Sequence, residues 1–422
     1  MFFFYKFLTT ILFPFFILII YIRKLFGKED NKRFKEKFIF KKKNKNNSKL
    51  IWFHGASIGE ILSVIPIIEY LQKKNTNLEI LITTVTLSSS KIIEKKFHNN
   101  EKLTHHFFPL DVNYLVKKFL DNWNPNAIIF IDSEIWPNFL LEINKRKIPL
   151  ALINARITNK TFKKWIFFKK FSSKIFSFFD ICLASSNNSR ENLKKLNAQN
   201  VKYVGNLKFL SNSTADKKLK KSTIKYFNTR NVWCASNTHK GEEIFCLHAH
   251  MQIKKKYNDV LTIIIPRHIN RVNNILSLCK KNKLNAQIVK NENEINNTAE
   301  IIIIESFGEL SKYYNYCKSV FIGKSVLKNL ISVGGQNPIE AAVNGCRIYH
   351  GPYIYNFFEV YEYLNKINIS AEVRTVDNLT KHIINDLYEM KKTNSENINK
   401  INDNGKKIFE ETVNQLNDLI LK

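Results

Sequence analysis

Short apolar runs alternate with longer amphipathic stretches along almost the whole chain from Leu50 onwards, and this alternation restricts its fold more than any other feature. Short runs rich in Val, Ile and Phe are typical of strands buried on both faces, whereas the stretches between them have the period of amphipathic helices. Such an alternation predicts a parallel sheet covered by helices on both faces. In the first half, the predicted strands cover residues 50–54, 79–85, 105–110, 127–132, 149–154, 181–185 and 201–205.

The same alternation resumes after a polar segment at 209–222, which we interpret as an interdomain linker. The predicted strands of the second half cover residues 232–236, 260–266, 286–290, 300–305, 319–323 and 347–351, and a closing helix is predicted over 397–421. We therefore predict an α/β protein of GT-B architecture, with two facing Rossmann-like domains at 50–208 and 223–422. The last helix is a candidate for packing back on the N-terminal domain. Ligands are expected at the carboxyl ends of the strands.

The N-terminal segment Phe7–Ile22 contains no charge, and with Phe2–Tyr5 its apolar reach approaches the ~20 residues needed to cross a bilayer core. Pro14 is expected to kink this helix, which a membrane-embedded helix tolerates. Basic residues follow at Arg23, Lys24, Lys28, Lys32, Arg33, Lys35, Lys37 and Lys41–Lys43. Positive charge on the C-terminal side of the apolar segment predicts that the rest of the protein lies on the cytoplasmic face of the membrane. We interpret 1–27 as a membrane anchor and 28–49 as a basic linker. A cleaved signal peptide is one alternative, although no small-residue cleavage site follows, and a shallow helix that does not span is another.

The amino-acid composition limits the classes of partner that the chain is expected to bind. Its 422 residues suffice for two or three domains, and a 44% apolar fraction excludes wholesale disorder. Lys and Arg exceed Asp and Glu by 66 to 36, and the net charge of +30 favours anionic partners such as phospholipid headgroups, a phosphorylated substrate or nucleic acid. Part of this excess reflects the general abundance of Lys, Asn and Ile. The six cysteines form no CxxC pair, so we expect reduced core thiols, no zinc site and no disulfides.

Two carboxylates and a lysine follow predicted strands of the first half. Glu60 lies at the start of the helix after the first strand, where a carboxylate could accept a proton from a hydroxyl as a general base. The alternative is an acid favoured by the helix dipole, which we also expect to lower the pKa of Glu60. Glu134 follows the fourth strand, with a helix-capping role as the alternative. Lys208 follows the last strand of this half, with a plain exposed lysine as the alternative.

Polar and glycine-rich strings also follow the strands of the second half. Ser236, Thr238 and His239 precede a helix whose N–H groups could hold a phosphate, and Arg267 with His268 ends the next strand. The string Gly334-Gly335-Gln336-Asn337-Pro338-Ile339-Glu340 is typical of a nucleotide-sugar site, with a diglycine turn that caps a helix as the alternative. Phe307, Gly308 and Glu309 open a further helix.

Taken in order, these strings resemble the Kdo (3-deoxy-D-manno-octulosonic acid) transferase family of lipopolysaccharide synthesis. The matching strings are WFHGASIGE, SEIWPN, NARIT, GNLKF, THKGEE, PRH–NR, FGEL, GGQNPIE and GP–NF, from residue 52 to about 357. The resemblance implies an inverting, metal-independent transfer of Kdo from CMP-Kdo to a lipid A precursor (lipid IVA) at the bacterial inner membrane, without a cofactor. It implies that Glu60 is the general base and that Glu134 and Lys208 stabilise the transition state. It assigns CMP binding to Arg267, His268, Phe307, Gly308, Glu309 and Asn337 to Glu340.

Three residues depart from the family pattern. Gln336 stands where the family usually has His, Lys324 stands where it has Gly, and Asn237 interrupts the usual small-residue run. These departures concern the nucleotide pocket rather than the reaction. Two other functions stay open: a GT-B transferase that uses a UDP-sugar on a lipid acceptor, and a membrane-tethered nucleic-acid-binding protein. Because the basic residues are dispersed and no recognition motif is present, we expect no nucleic-acid partner.

Overall fold

The computed structural model describes residues 1–40, 48–210, 219–290, 295, 298–306, 310–331, 333–389 and 395–420. The chain forms two compact units. Unit 1 consists of Met1–Leu210 with Gly405–Lys422, and unit 2 consists of Ser211–Asn404. Most of the segment 209–222, predicted as a linker, lies outside the described residues, since only its two ends are described.

Unit 1 is built on a sheet of seven parallel strands, at the positions that the apolar runs predict. The strands are β1 (Lys49–His54), β2 (Leu78–Thr84), β3 (Leu103–Phe107), β4 (Ala127–Ile131), β5 (Leu150–Ala155), β6 (Ile181–Ala184) and β7 (Val201–Tyr203). Their order is β3-β2-β1-β4-β5-β6-β7, and every neighbouring pair is parallel. The chain reverses its direction of winding between β1 and β4. This switch point opens a crevice at the carboxyl ends of those two strands.

The helices of unit 1 are α1 (Phe2–Ile11), α2 (Phe13–Leu25), α3 (Ile58–Lys74), α4 (Leu87–Phe97), α5 (Asn113–Trp123), α6 (Pro137–Lys145), α7 (Asn159–Phe167), α8 (Lys169–Phe176) and α9 (Asn187–Lys195). Aromatic rings fill the core on one side of the sheet. The fully buried Trp52 of β1 has its ring 5.1 Å from that of Phe119 and 5.5 Å from those of Phe130 and Phe139, measured between centroids. Its indole N–H donates to Thr83 Oγ1, so this polar group is satisfied inside the core.

The N-terminal segment bends close to Pro14, as predicted, but it is divided into two helices where one kinked helix was expected. It forms α1 and α2, which meet at Leu12 with a bend of 52°. Pro14 lies in the first turn of α2, where its missing N–H costs no hydrogen bond, so a new helix starts there. Among the described residues, no single helix has the length and apolarity of a membrane span, although the bent pair passes that test when it is taken together.

One face of α1 is fixed to the body of unit 1. The Tyr5 hydroxyl donates to Asp111 Oδ2 at 2.8 Å, and the Asn138 amide donates to Thr9 Oγ1 at 3.2 Å. The ring of Phe2 lies 4.8 Å from that of Phe171 on α8. Helix α1 therefore packs on the body of unit 1 along one face and leaves its other face exposed.

The segment 28–40, predicted as part of a basic linker, also packs on unit 1, whereas 41–47 lie outside the described residues. Glu29 and Lys37 are buried and form an ion pair of 2.6 Å, and Phe34 and Phe40 are buried as well. Arg33 donates to the backbone oxygen of His105 at 2.8 Å. The apolar residues spaced through this basic segment explain why it folds instead of remaining solvated.

Unit 2 contains a second sheet of seven parallel strands. They are β8 (Asn231–Thr238), β9 (Val260–Pro266), β10 (Ala286–Val289), β11 (Ile301–Ile304), β12 (Ser319–Ile322), β13 (Arg347–His350) and β14 (Ser370–Glu372), in the order β10-β11-β9-β8-β12-β13-β14. The switch point lies between β8 and β12. The edge strand β14 has only three residues, which is too short for an apolar run to reveal.

The helices of unit 2 are α10 (Lys221–Asn228), α11 (Glu242–Lys254), α12 (Val272–Lys281), α13 (Leu310–Tyr314), α14 (Ile339–Val343), α15 (Phe358–Lys366) and α16 (Val376–Tyr388), followed by the start of the closing helix α17 (Ser395–Ile420). The core includes the fully buried Trp233 and Phe321. Two seven-stranded parallel sheets covered by helices confirm the predicted GT-B fold. All six cysteines are buried and unpaired.

The C-terminal part of α17 belongs to unit 1. A Cβ on Gly205 would lie 2.8 Å from the side chain of Ile408, and Gly205 has a φ of +110°. The ring of Phe409 lies 5.6 Å from that of Tyr70, and Lys202 Nζ donates to Gln415 Oε1 at 2.7 Å. The last helix therefore covers the end of β7 and part of α3.

Candidate active site

Glu60 occupies the third position of α3, just beyond the carboxyl end of β1. Its carboxylate accepts hydrogen bonds from the N–H of Ala56 at 2.7 Å and from the Ser57 hydroxyl at 2.7 Å. Ser57 N donates to Glu60 Oε2 at 3.4 Å and Glu60 N donates to Ser57 Oγ at 3.4 Å, and these two bonds form a capping box. A carboxylate has about four acceptor positions, so these bonds leave room for another proton donor.

The pKa of Glu60 is raised to about 7. Burial is the largest cause, followed by the negative charge of Asp132, and Glu134 adds to the effect. The hydrogen bonds from Ser57 and Ala56 act in the opposite direction but do not compensate. Our expectation that the helix dipole lowers this pKa was wrong, because burial beside other carboxylates outweighs the helix terminus. A base with a pKa near neutrality suits general-base catalysis at physiological pH.

Glu134 follows β4 and is held by two ring N–H groups. His54 Nε2 lies 3.0 Å from Glu134 Oε2, and Trp136 Nε1 donates to the same oxygen at 2.8 Å. Burial alone would raise the pKa of Glu134, but the hydrogen bond and charge of His54, with the Trp136 N–H, lower it. The His54 ring is fully buried and stacks on Phe108 with centroids 3.6 Å apart. Glu134 is therefore a fixed anion in the same site.

Asp132 is the residue of this site that the sequence patterns did not single out. It immediately follows β4, is 7% exposed and has a φ of 63°, a left-handed conformation that is costly for a residue other than Gly. Its Oδ2 lies 3.8 Å from Lys208 Nζ, while its Oδ1 is buried without a hydrogen-bond partner in the described structure. Burial raises the pKa of Asp132, and the charges of Lys208 and Arg156 oppose that rise.

Asn154 positions Lys208. It is the penultimate residue of β5 and has a left-handed conformation with a φ of 50°, and its Oδ1 accepts a hydrogen bond from Leu207 N at 2.9 Å. Lys208 N donates to Asn206 Oδ1 at 3.0 Å, so the turn after β7 is fixed from both sides. The ends of β1, β4, β5 and β7 thus bring three carboxylates and a lysine into one electrostatically coupled group.

In unit 2, Glu242 organises the two strand ends at the switch point. Its carboxylate accepts hydrogen bonds from four backbone N–H groups at 2.6–3.2 Å, those of His239, Lys324, Ser325 and Val326. The buried carboxylate compensates four N–H groups that would otherwise lack partners. It joins the loop after β8 to the loop after β12.

Two of the three departures from the family pattern adjoin these loops: Lys324 follows β12, and Asn237 is the penultimate residue of β8. Lys324 has a φ of 60° and Asn237 has a φ of 55°, conformations that Gly adopts freely and that Asn tolerates. The neighbouring Gly323 has no room for a side chain, because a Cβ would lie 2.7 Å from Asn237 O and 2.8 Å from Glu242 Oε2. The backbone requirement explains why the family usually has Gly at the position of Lys324.

A basic cluster surrounds His239. The pKa of His239 is lowered to about 4. Burial is the largest cause, and the positive charges of four neighbours add to it: Lys324, His268, Arg267 and Arg271. The rings of His239 and His268 are 5.6 Å apart, and His239 Nε2 is buried without a hydrogen-bond partner in the described structure. Concentrated positive charge at strand ends suits a phosphate group. Arg271 is already paired with the carboxylate of Glu243 through two bonds of 2.5 and 3.0 Å.

The diglycine string after β12 approaches other backbone closely. A Cβ on Gly334 would lie 2.0 Å from Tyr353 O, and Gly335 has a φ of 95°. Asn337 Oδ1 accepts a hydrogen bond from Ile339 N at 3.1 Å, at the start of the five-residue helix α14. Burial raises the pKa of Glu340 on that helix.

Two further predicted residues lie on β8, and three others lie outside the described residues. Ser236 Oγ lies 2.6 Å from the Tyr314 hydroxyl, and the charge of Glu340 is among the causes that raise the pKa of Tyr314. Thr238 Oγ1 is buried without a partner in the described structure. Phe307, Gly308 and Glu309 lie outside the described residues. Within those residues, no group of three or more His, Cys, Asp or Glu side chains has the arrangement of a metal site.

The two-domain α/β fold and the acidic and basic strand ends are those of a GT-B glycosyltransferase. A family model described as 3-deoxy-D-manno-octulosonic-acid transferase (kdotransferase) matches residues 32–211. A 3-deoxy-D-manno-octulosonic acid transferase of Rickettsia bellii is 34% identical over 355 residues, which cover 82% of this chain and 82% of that protein. The transferase of Haemophilus influenzae is 27% identical and covers 81% of this chain and 80% of its own length. The chain therefore belongs to the 3-deoxy-D-manno-octulosonic acid transferase family.

Solved structures support the fold. The UDP-GlcNAc 2-epimerase of Neisseria meningitidis, solved with UDP-GlcNAc bound, is 13% identical. It has a TM-score of 0.56 and covers 88% of this chain and 99% of its own. At this identity, the likeness concerns the fold alone.

Proposed function

We propose that the chain transfers Kdo from CMP-Kdo to a hydroxyl of a lipid A precursor, with inversion at the anomeric carbon and with Glu60 as the general base. The observation that supports this proposal most is the position of the Glu60 carboxylate just beyond the carboxyl end of β1, where Ala56 N–H and the Ser57 hydroxyl hold it and burial raises its pKa to about 7. Membership of the Kdo transferase family supports the choice of sugar.

In the proposed reaction, the acceptor hydroxyl oxygen forms a bond to the anomeric carbon of Kdo. The bond between that carbon and the phosphate oxygen breaks, and its electron pair leaves with CMP. The proton of the hydroxyl passes to the Glu60 carboxylate. Glu134, fixed as an anion by His54 and Trp136, and Lys208, beside Asp132, are then the charged groups that stabilise the transition state.

The donor is assigned to unit 2. The cationic groups around His239, including Arg267, His268 and Lys324, provide the charge that a CMP phosphate requires. Glu340 and the string Gly334–Ile339, near the end of β8, are proposed to contact the nucleoside, together with Phe307, Gly308 and Glu309. Ser236 and Thr238 are proposed as further polar contacts. We propose no metal ion or other cofactor.

The N-terminal helices α1 and α2 are proposed to bind the membrane that contains the lipid acceptor. Exposed apolar side chains on the free faces of α1 and α2 include Phe3, Phe4, Phe7, Ile11, Phe15, Leu18, Ile22 and Leu25. We propose that these faces enter the cytoplasmic leaflet of a bacterial inner membrane, where they hold unit 1 at the level of the acceptor headgroup.

Incubation of the chain with CMP-Kdo and a tetraacyl lipid A precursor, followed by mass spectrometry, tests the reaction. The expected result is a product heavier by one or more Kdo units. The same incubation with UDP-sugars tests the rival transferase, and transfer from a UDP-sugar but not from CMP-Kdo would overturn our proposal. A Glu60→Gln variant that keeps near-full turnover would remove Glu60 as the base.

A further inference from the structure

The corner between α7 and α8 carries an exposed aromatic pair that the proposed reaction does not use. Phe167 is 80% exposed and Phe168 is 47% exposed, and their rings meet edge to face with centroids 4.9 Å apart. Leaving two large apolar side chains in water at a helix corner forfeits the hydrophobic gain that burial would provide. Such a feature indicates a surface that contacts something apolar.

Exposed lysines surround this pair on both sides. Lys163 and Lys164 precede it on α7, and Lys169 and Lys170 follow it on α8. None of the four forms an ion pair within the described residues, and the sequence has no Asp or Glu from 143 to 179. Aromatic side chains ringed by unpaired cations match a bilayer with anionic lipids, where rings enter the headgroup region and ammonium groups meet phosphates.

This corner lies close to the membrane anchor proposed above. Phe171, one turn after Phe167 on α8, contacts Phe2 at the start of α1, and its ring lies 6.3 Å from that of Tyr5. Both elements belong to unit 1. An anchor held at one place leaves a domain free to tilt on the bilayer, whereas a second contact nearby restricts that motion.

We propose that Phe167, Phe168 and the four lysines, here called the α7–α8 corner, form a second contact with anionic phospholipid, separate from α1 and α2. The corner sets the orientation of unit 1 on the bilayer. The proposal rests on the membrane-bound acceptor proposed above, but its test is independent of Kdo transfer.

A dye attached at the corner tests this contact directly. All six native cysteines are buried, so a Phe167→Cys variant of the full chain offers one accessible thiol for nitrobenzoxadiazole. With vesicles of phosphatidylcholine and phosphatidylglycerol, we expect a blue shift of its emission and quenching by brominated phospholipid. A Tyr388→Cys variant, labelled at an exposed aromatic position of unit 2, is the control and should show neither effect. The proposal would be overturned if the labelled protein co-sediments with the vesicles while the dye at position 167 keeps the emission spectrum that it has in water.

Charge-neutralising variants test the lysines. Replacing Lys163, Lys164, Lys169 and Lys170 by Gln should lower partitioning onto anionic vesicles at least about tenfold, because each lysine near such a surface contributes to binding. Replacing the exposed Lys73, Lys74, Lys95 and Lys96 at the ends of α3 and α4 makes the same change in net charge and should have little effect. Equal losses in both variants would mean that only net charge matters and would refute a localised contact.

Two further measurements distinguish a lipid contact from self-association and from a role in the transfer reaction. A blue shift without vesicles that grows with protein concentration would identify a second copy of the chain as the partner and overturn the proposal. Kdo transfer to a detergent-dispersed acceptor should stay unchanged in the corner variants. Absence of transfer by the unmodified chain would contradict the proposed function while leaving the dye result intact.

Discussion

The carboxylate of Asp132 lies 3.8 Å from the ammonium of Lys208, and both side chains are largely buried beyond the ends of two strands of one sheet, β4 and β7. Asp132 also raises the pKa of Glu60 through its negative charge. One aspartate therefore acts on two groups that the proposed reaction uses: it holds the lysine and makes the glutamate a stronger base. It is a positioning residue in this site.

The first prediction concerns the pH dependence of transfer. Because Glu60 must be ionised to accept a proton, and its pKa is about 7, kcat/KM should rise with pH through neutrality. An Asp132→Asn substitution removes a negative charge that raises this pKa, so the acid limb of the profile should move to lower pH. The measurement is kcat/KM for CMP-Kdo between pH 5 and 9.

An Asp121→Asn variant is the matched control for this experiment. Asp121 is an exposed carboxylate of the same unit that pairs with Arg146, so its replacement makes the same change in charge and should leave the acid limb in place. An Asp132→Asn profile that coincides with that of the unmodified enzyme would show that Asp132 does not tune the base.

The second prediction concerns His54. A His54→Phe substitution preserves a ring to stack on Phe108 but removes the hydrogen bond to Glu134 and the charge that lowers its pKa. The pKa of Glu134 should therefore rise. We expect kcat to fall by about 10–100-fold at neutral pH, which corresponds to the loss of one hydrogen bond to a charged group. The KM for CMP-Kdo should change little, since His54 belongs to unit 1.

His106→Phe provides a matched control on β3. His106 lies in the same unit and packs against Phe119, and its Nδ1 lies 2.6 Å from the backbone oxygen of Phe107 rather than near a carboxylate of the site. It should retain near-normal kcat. If both variants lose activity equally, the effect of His54 is one of packing rather than of charge on Glu134.

The third prediction concerns the attachment of α1. A Tyr5→Phe substitution removes the hydroxyl that donates to the buried Asp111 and should destabilise unit 1 by about 1.5–3 kcal/mol. Thermal unfolding in detergent micelles measures this loss. Tyr21→Phe is the control, because its ring packs on Phe34 and its hydroxyl has no hydrogen bond in the described structure. Equal melting temperatures for Tyr5→Phe and Tyr21→Phe would contradict a polar attachment of α1.

The strands were predictable from the sequence because a strand buried on both faces must be a continuous apolar run. The run from Ala127 to Ile131 and the run from Val260 to Pro266 show this directly, and both are strands as predicted. The three-residue edge strand β14 has too few residues to carry such a pattern, and it was missed. The kink near Pro14 was predicted, but the division into α1 and α2 at Leu12 was not, since an uncharged segment gives the same apolar signal whether it forms one helix or two.

The electrostatics of the site could not be predicted from the sequence. Strand ends indicated that Glu60 and Glu134 follow β1 and β4, but only the fold shows that Asp132 lies near both. The pKa of Glu60 depends on burial and on a carboxylate 72 positions further along the chain, so the helix dipole alone gave the wrong sign. An acid directly after a buried strand at a switch point was the available signal for Asp132.

The last prediction tests how the closing helix packs. Gly205 has a φ of +110°, and a Cβ there would lie 2.8 Å from the Ile408 side chain on α17, so Gly205→Ala should destabilise unit 1 by about 1–3 kcal/mol through strain and overpacking. Gly59→Ala is the matched control, because open space surrounds that position and Ala favours the helix. Adding Ile408→Ala to Gly205→Ala should recover the overpacking part of the loss but not the backbone strain. A double-mutant cycle of unfolding free energies with zero coupling would contradict the contact between β7 and α17.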